Sequence, residues 1–134
     1  MIYKRNLTLL LIIILFNQQF DLNAQISKQN YEILRLIRHE KFDLILPDAM
    51  RDNNIDMWIH VAKDGDPDPL DLDLGGNIDF TVTDTLGYYI FTDRGGNRIE
   101  RAVLGGQVDR DLYDILDPES SLGKFVSERD PKHI

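Results

Sequence analysis

Three stretches of this sequence predict an α/β fold: a helix with one apolar stripe, a strand with two apolar faces directly after it, and a hairpin of β-favouring residues further on. The helix is read from Tyr31 to Asn53. Within it Phe42, Ile45, Leu46, Ala49 and Met50 fall at i, i+3, i+4, i+7 and i+8, the spacing of a single buried stripe. Pro47 interrupts the stripe. It has no N–H and crowds the preceding turn, so it predicts a kink or a helix split in two. Arg35, Arg38, Glu40, Lys41, Asp43, Asp48 and Arg51 decorate the other side, which reads as a solvated face. Asn53-Asn54 ends the helix, because asparagine tolerates the left-handed backbone found there.

The strand follows at Ile55 to Ala62. Met57, Ile59 and Val61 point one way, and Trp58, His60 and Ala62 the other. Neither set is clearly polar, which predicts a strand covered on both sides. Lys63 to Asn77, rich in Asp, Pro and Gly, reads as a loop. Gly87 to Thr92 and Arg98 to Leu104 flank a five-residue link, Asp93-Arg94-Gly95-Gly96-Asn97, and form the expected hairpin. Of Tyr88 and Tyr89, one ring is expected in the core and one at the surface. Ser120 or Ser121 caps a short helix, Leu122 to Arg129, and Asp130-Pro131 stops it. Lys132-His133-Ile134 reads as the first step into another strand, so the domain is expected to be truncated at its C-terminal end.

The first 24 residues read as a removable signal rather than as part of the fold. Lys4 and Arg5 precede an apolar run from Leu7 to Phe16, polar Asn17, Gln18 and Gln19 follow, and Ala24 precedes Gln25. Ten positions rise only about 15 Å as a helix, too short for a bilayer core of about 30 Å. Export to the periplasm or the extracellular space, without stable membrane insertion, is the expectation. The chain has no cysteine, so a lipid-modified N-terminus and disulfides are both excluded.

From Gln25 to Ile134, 13 basic and 22 acidic side chains remain, a net charge of −9. That balance argues against nucleic acid, whose phosphates reward clustered Lys and Arg. One domain of this length buries roughly 60–68% of its unfolded surface, enough for a single core.

Five carboxylates, Asp64, Asp66, Asp68, Asp71 and Asp73, crowd the loop after the strand. Hard cations want such oxygen ligands, but in the EF-hand register from Asp64 the sixth position is Pro69 and the twelfth Gly75. The turn glycine and the bidentate glutamate are missing, so a solvated, self-repelling loop is the simpler reading. His39, His60 and His133 have no zinc-ligand spacing. His60, on the strand beside Trp58, reads as a hydrogen-bonded core or rim histidine. Ser27, Ser120, Ser121 and Ser127 lie in no nucleophile elbow, and Gly95-Gly96 and Gly105-Gly106 are turn glycines rather than phosphate cradles. No catalytic, cofactor-binding or metal-ligating residue is expected in the chain.

One longer stretch carries more information. Arg38-His-Glu-Lys-Phe-Asp-Leu-Ile-Leu-Pro-Asp-Ala-Met-Arg-Asp-Asn-Asn-Ile-Asp-Met-Trp-Ile59 resembles the opening of the N-terminal domain in the creatinase, prolidase and aminopeptidase P superfamily. Tyr89-Ile-Phe-Thr-Asp-Arg-Gly-Gly96, Ile99-Glu-Arg-Ala-Val-Leu104 and Phe125-Val-Ser-Glu-Arg-Asp-Pro-Lys132 resemble exported members. The resemblance implies a small mixed sheet with flanking helices, spanning residues 25–134 and not itself catalytic. It also implies a following "pita-bread" domain, absent here, that holds two divalent metal ions and cleaves peptides before proline. The N-terminal domain would then support homo-oligomer contacts and wall the peptide cleft. Trp58, His60, Asp93 and Arg94, near strand ends, are the implied cleft-lining candidates. Core packing, and a turn salt bridge at Asp93-Arg94, is the plainer alternative. The family's Tyr-Leu-(Ser/Thr)-Gly segment has no clean equivalent around Phe80-Thr81-Val82-Thr83. A free-standing exported binding module is the competing interpretation of the whole chain.

Export with cleavage after Ala24 predicts that the secreted protein begins at Gln25. Intact-mass and N-terminal analysis should show that start, whereas a membrane-held protein retaining Met1 would contradict it.

Overall fold

A computed structural model of the chain describes residues 25–63, 68–76, 86–105, 108–117 and 120–134. The expected leader, Asp64 and Asp66 of the acidic stretch, and Phe80 to Thr83 lie outside the described residues. The chain divides into two compact units, Met1–Leu34 and Arg35–Ile134. In the first, residues 25–34 are helical. The second holds the sheet. No helix among the described residues is long and apolar enough to cross a membrane.

Four strands make one mixed sheet in the order β1-β2-β3-β4: β1 (Met57–Lys63), β2 (Leu86–Thr92), β3 (Glu100–Leu104) and β4 (Ile115–Leu116). β1 and β3 both run antiparallel to β2, with Trp58 opposite Phe91 and Phe91 opposite Arg101. β4 runs parallel to β3, with Ala102 opposite Ile115. The α/β reading and the hairpin are therefore both present. Gly105 ends β3 at φ +72, and an added Cβ there would lie 2.7 Å from the Leu86 carbonyl oxygen, so only glycine fits.

Alternation along the strands sends side chains into two cores. Tyr89, Phe91 and Val103 join Phe42, Met50, Leu74, Ile99, Leu112 and Tyr113 on one face; Ile90, Ala102, Leu104 and Met57 join Phe125 on the other. Phe91 is fully buried, and burying such a ring contributes roughly 1.5–3 kcal/mol. β1 is packed from both sides, as its two apolar faces require: Trp58 and Ala62 touch the first core, Ile59 the second. Tyr89 is in the core and Tyr88 half-buried.

On the first face, helical residues 35–40 (α1) lead through a π-helical turn, Lys41–Ile45, into α2 (Leu46–Asp52). The kink or split expected at Pro47 takes the form of this wider turn. Pro47 has no N–H to give to the Asp43 carbonyl, and the Leu46 N–H reaches back to the Lys41 carbonyl. The extra residue shifts the helix phase, which corrects the stripe read from sequence. Phe42, Leu46, Pro47 and Met50 face the core, while Ile45 and Ala49 are exposed.

A second correction falls in the stretch read as a loop from Lys63 to Asn77. Lys63 ends β1, and Pro69–Asp73 form a short helix, α3. Asp68 accepts the Leu70 N–H at 2.8 Å while the Asp71 carboxylate reaches back to the Asp68 N–H at 3.4 Å. The Asp and Pro that read as loop signals are here an N-cap and a first-turn proline.

α4 (Leu122–Arg129) begins at its Ser121 cap and ends at left-handed Asp130, φ 45, as the sequence predicts. Phe125 plugs it into the second core, and Arg129 lies 3.3 Å over the Phe125 ring while bonding Glu100 of β3. Residues 132–134, read as the first step into another strand, are not themselves in a strand. They bend against the start of β1, where the His133 carbonyl accepts the N–H groups of Asp56 and Met57 at 3.0 and 3.1 Å.

One residue breaks the apolar pattern of the first core. Arg101 sits between Ile99 and Val103 and is fully buried. Its Nη2 donates to the Asp43 carboxylate, its Nη1 donates to the Leu112 carbonyl at 3.4 Å, and its guanidinium lies 5.0 Å from the Phe42 ring centre. Nε has no hydrogen-bond partner among the described residues. Arg98 bonds Asp114 at 2.5 Å and lies 3.6 Å from Asp43, so two arginines share two aspartates. Burial, then the nearby Arg98 charge, pulls the Arg101 guanidinium below its ordinary value; Asp43 and Asp114 oppose this. Asp43, assigned by the helical spacing to the solvated face, thus reaches the buried guanidinium while staying half-exposed itself.

Candidate functional site

The end of α2 and the start of β1 create a cleft. Asn54, at φ 54, turns the chain out of the helix, and the Ile55 N–H closes back on the Met50 carbonyl at 2.9 Å. That places Arg51, in the last helical turn, beside Asp93, the first residue after β2. Register does the rest, since Met57 stands opposite Thr92 and the Asp93 N–H bonds the Asp56 carbonyl at 2.8 Å.

Arg51 grips Asp93 with two nitrogens, at 2.7 and 3.1 Å, and donates to the Gly96 carbonyl at 2.5 Å. The Gly95 N–H completes the Asp93 carboxylate at 2.8 Å. Asp56 accepts the N–H groups of Lys132 and His133 at 2.8 and 3.0 Å. Arg51, Asp56, Asp93, Lys132 and His133, together with Asn54 and Ile55, line an open cleft of about 360 Å³.

Both carboxyls are held ionised. The Arg51 hydrogen bonds, helped by the Gly95 N–H and opposed by partial burial, keep Asp93 below the usual carboxylate range. The two tail N–H groups do the same for Asp56. Asp93 in turn raises Arg51 above its ordinary value. These are fixed charges already committed to partners within the chain. Such a site can orient a neighbouring surface or a charged ligand, but neither carboxylate is poised to exchange a proton near neutral pH.

Of the four residues expected to line a cleft, Asp93 lines this one. It pairs with Arg51 rather than with its neighbour Arg94, which is exposed at the hairpin tip. Trp58 is stacked on Phe91, centroids 4.9 Å apart and planes at 20°. His60 Nε2 lies 2.8 Å from the Asp71 carboxylate of α3, and its ring is 5.8 Å from Tyr89. The Tyr89 hydroxyl is pushed up to about 12 by burial, with Asp71 adding to it. His60 is thus the hydrogen-bonded rim histidine of the plainer alternative.

The acidic stretch is likewise spoken for where it is described: Asp68 and Asp71 cap α3, and Asp73 lies 3.5 Å from Lys41. Among the described residues no three His, Asp or Glu side chains converge as a metal site would require. Arg51 and Asp56 were not singled out from the sequence. Their signals are an arginine in the last turn of a helix and an aspartate opening a strand, both common on solvated surfaces.

The sign of the pH dependence follows from the lowered carboxyl values. A carboxyl whose folded value is depressed stabilises fully above its unfolded value of about 3.9, and the stabilisation fades as pH falls through the lower folded value. Asp93→Asn is therefore expected to lower the urea midpoint at pH 7 and to flatten its decline between about pH 5 and pH 2. An unchanged midpoint at pH 7 with an unchanged acid slope would show that the pair contributes nothing. No family model, no curated protein and no solved structure matches the chain.

Proposed function

We propose that this chain is the non-catalytic N-terminal domain of an exported metallopeptidase of the aminopeptidase P type, carried ahead of a downstream metal-binding domain. The observation that carries the reading is the order of structure within the resembling stretch Arg38 to Ile59. Its Leu-Pro segment forms α2, its Asn-Asn forms the left-handed turn, and its Ile-Asp-Met-Trp-Ile opens a strand packed on both faces. In this role the domain supplies shape and fixed charge: the cleft formed by Arg51, Asp56 and Asp93 helps wall a peptide site whose metals sit elsewhere. The two divalent ions would supply an activated water there. Homo-oligomer contacts belong to the same reading. Arg94, exposed on the hairpin, and Asp93 are the better placed of the four cleft candidates; Trp58 and His60 contribute by packing.

The competing reading is an exported binding module that acts alone. Leu36, Ile37, Leu44 and Ile45, all between 42% and 70% exposed along α1 and the π turn, are the surface that favours it.

Xaa-Pro peptide hydrolysis decides between them, measured with and without chelator. The protein as its cell makes it is expected to release the residue preceding proline in a metal-dependent way. The 134-residue chain alone is expected to show no turnover with manganese, cobalt or zinc. Chelator-sensitive turnover by the 134-residue chain would refute the non-catalytic role, and absence of hydrolysis by the native protein would favour the binding module.

A further inference from the structure

Building on the exported part of that reading, we infer that the mature chain is covalently modified at Gln25, whose side chain closes on its own α-amine as a pyroglutamyl lactam once the leader is removed. A signal is cut after a small residue, and Ala24 and Ser27 are the small residues that follow the apolar run and Asn17-Gln18-Gln19. The bond after Ser27 lies inside helical residues 25–34, where the backbone is closed to a peptidase that needs an opened chain. The cut therefore falls between Ala24 and Gln25 and leaves glutamine at the start of a helix.

Nothing in the fold holds that glutamine back. Gln25 is exposed, as are residues 26–30, and its side chain has no hydrogen-bond partner among the described residues. Gln25-Ile26-Ser27-Lys28 brings one cation and no carboxylate to the first turn. A new α-ammonium there meets both Lys28 and the positive end of the helix peptides, so its uncharged, nucleophilic form is favoured. The amine nitrogen attacks the side-chain carbonyl carbon, Cδ. The N–Cδ bond forms, the Cδ–Nε2 bond breaks, and one proton passes from the α-nitrogen to the departing nitrogen, which leaves as ammonia. No oxidant, reductant or co-reactant enters. The ring closes within a single residue, where the reacting groups meet at high effective concentration. The lactam keeps one N–H, which belongs to the first four that a helix leaves unpaired, so no backbone bond is lost. The product is neutral and has no primary amine. It removes the repulsion at the helix start and closes the exported chain to enzymes that trim from a free N-terminus.

N-terminal peptide mapping of the protein as its cell exports it tests the inference. Primary amines are dimethylated in denaturant at harvest, before digestion at arginine, so that no ring can close during handling. The peptide Gln25–Arg35 is expected to be one ammonia lighter than the open sequence, with label on Lys28 and none on the α-nitrogen. A Gln25→Ala variant is expected to carry label on both nitrogens. Pyroglutamyl peptidase is expected to remove one residue from the natural protein and none from the variant. A Gln25 peptide labelled at its α-nitrogen overturns the inference and leaves export standing. A chain still beginning at Met1, or one cut at another bond, overturns it as well. Metal-dependent Xaa-Pro hydrolysis by a protein with an open Gln25 would sink this inference and leave the proposed function intact. A closed ring in an exported protein that cleaves nothing would do the reverse.

Discussion

A guanidinium inside the first core constrains much of what surrounds it. Arg101 occupies a β3 position flanked by Ile99 and Val103, with no exposure to solvent. A charge in that place costs several kcal/mol unless an opposite charge and hydrogen bonds meet it. Asp43 supplies the charge, but only because the helix widens at Lys41–Ile45 and carries the aspartate round to the sheet side. The same turn moves Ile45 and Ala49 outward, relieves Pro47 of a bond it cannot make, and leaves Phe42 under the guanidinium. Asp114 then binds the Arg101 backbone from both sides, its carboxylate on the N–H and its own N–H on the carbonyl, each at 2.9 Å. The link that holds β4 parallel to β3 is thus tied to the residue that positions the helix.

From this anchor the charged cleft follows at one remove. α2 continues from the π turn, so the placement of Asp43 also sets the direction in which Arg51 leaves the helix toward Asp93. Asn54 and the β1–β2 register close the gap. Asp56, bound to Lys132 and His133, makes the cleft a meeting point of helix, hairpin and the segment after α4. The His60–Asp71 contact joins α3 to β1 on the face shared with Tyr89.

The elements legible in the sequence are those whose signals are local. α4 matched its reading from Leu122 to Arg129, because a serine cap and an Asp-Pro stop act within their own few residues. The hairpin was legible for the same reason, and β1 came within two residues. α3 was hidden because Asp-Pro marks a loop start and a helix start equally well. The phase of α2 was missed because an inserted residue in a helix leaves no mark on apolar spacing until the tertiary partner is known. The cleft was least legible. Arg51 and Asp93 are 42 residues apart, and Arg101 and Asp43 are 58, so nothing in the neighbourhood of either partner announces the other. An arginine spaced evenly between Ile99 and Val103 was the one available sign of a buried charge.

The most direct measurement is a double-mutant cycle on Asp43 and Arg101 by urea unfolding of the protein. Asp43→Asn strands the buried guanidinium and should cost near the low end of roughly 3–5 kcal/mol, since Asp43 itself is half-exposed. Arg101→Met removes the charge with similar volume and should cost far less. In the double variant Asp43→Asn should add almost nothing, giving a coupling of about 2 kcal/mol or more. Two single losses that simply add would contradict the account, because Asp43 and Arg101 would then be independent and the π turn would need another cause.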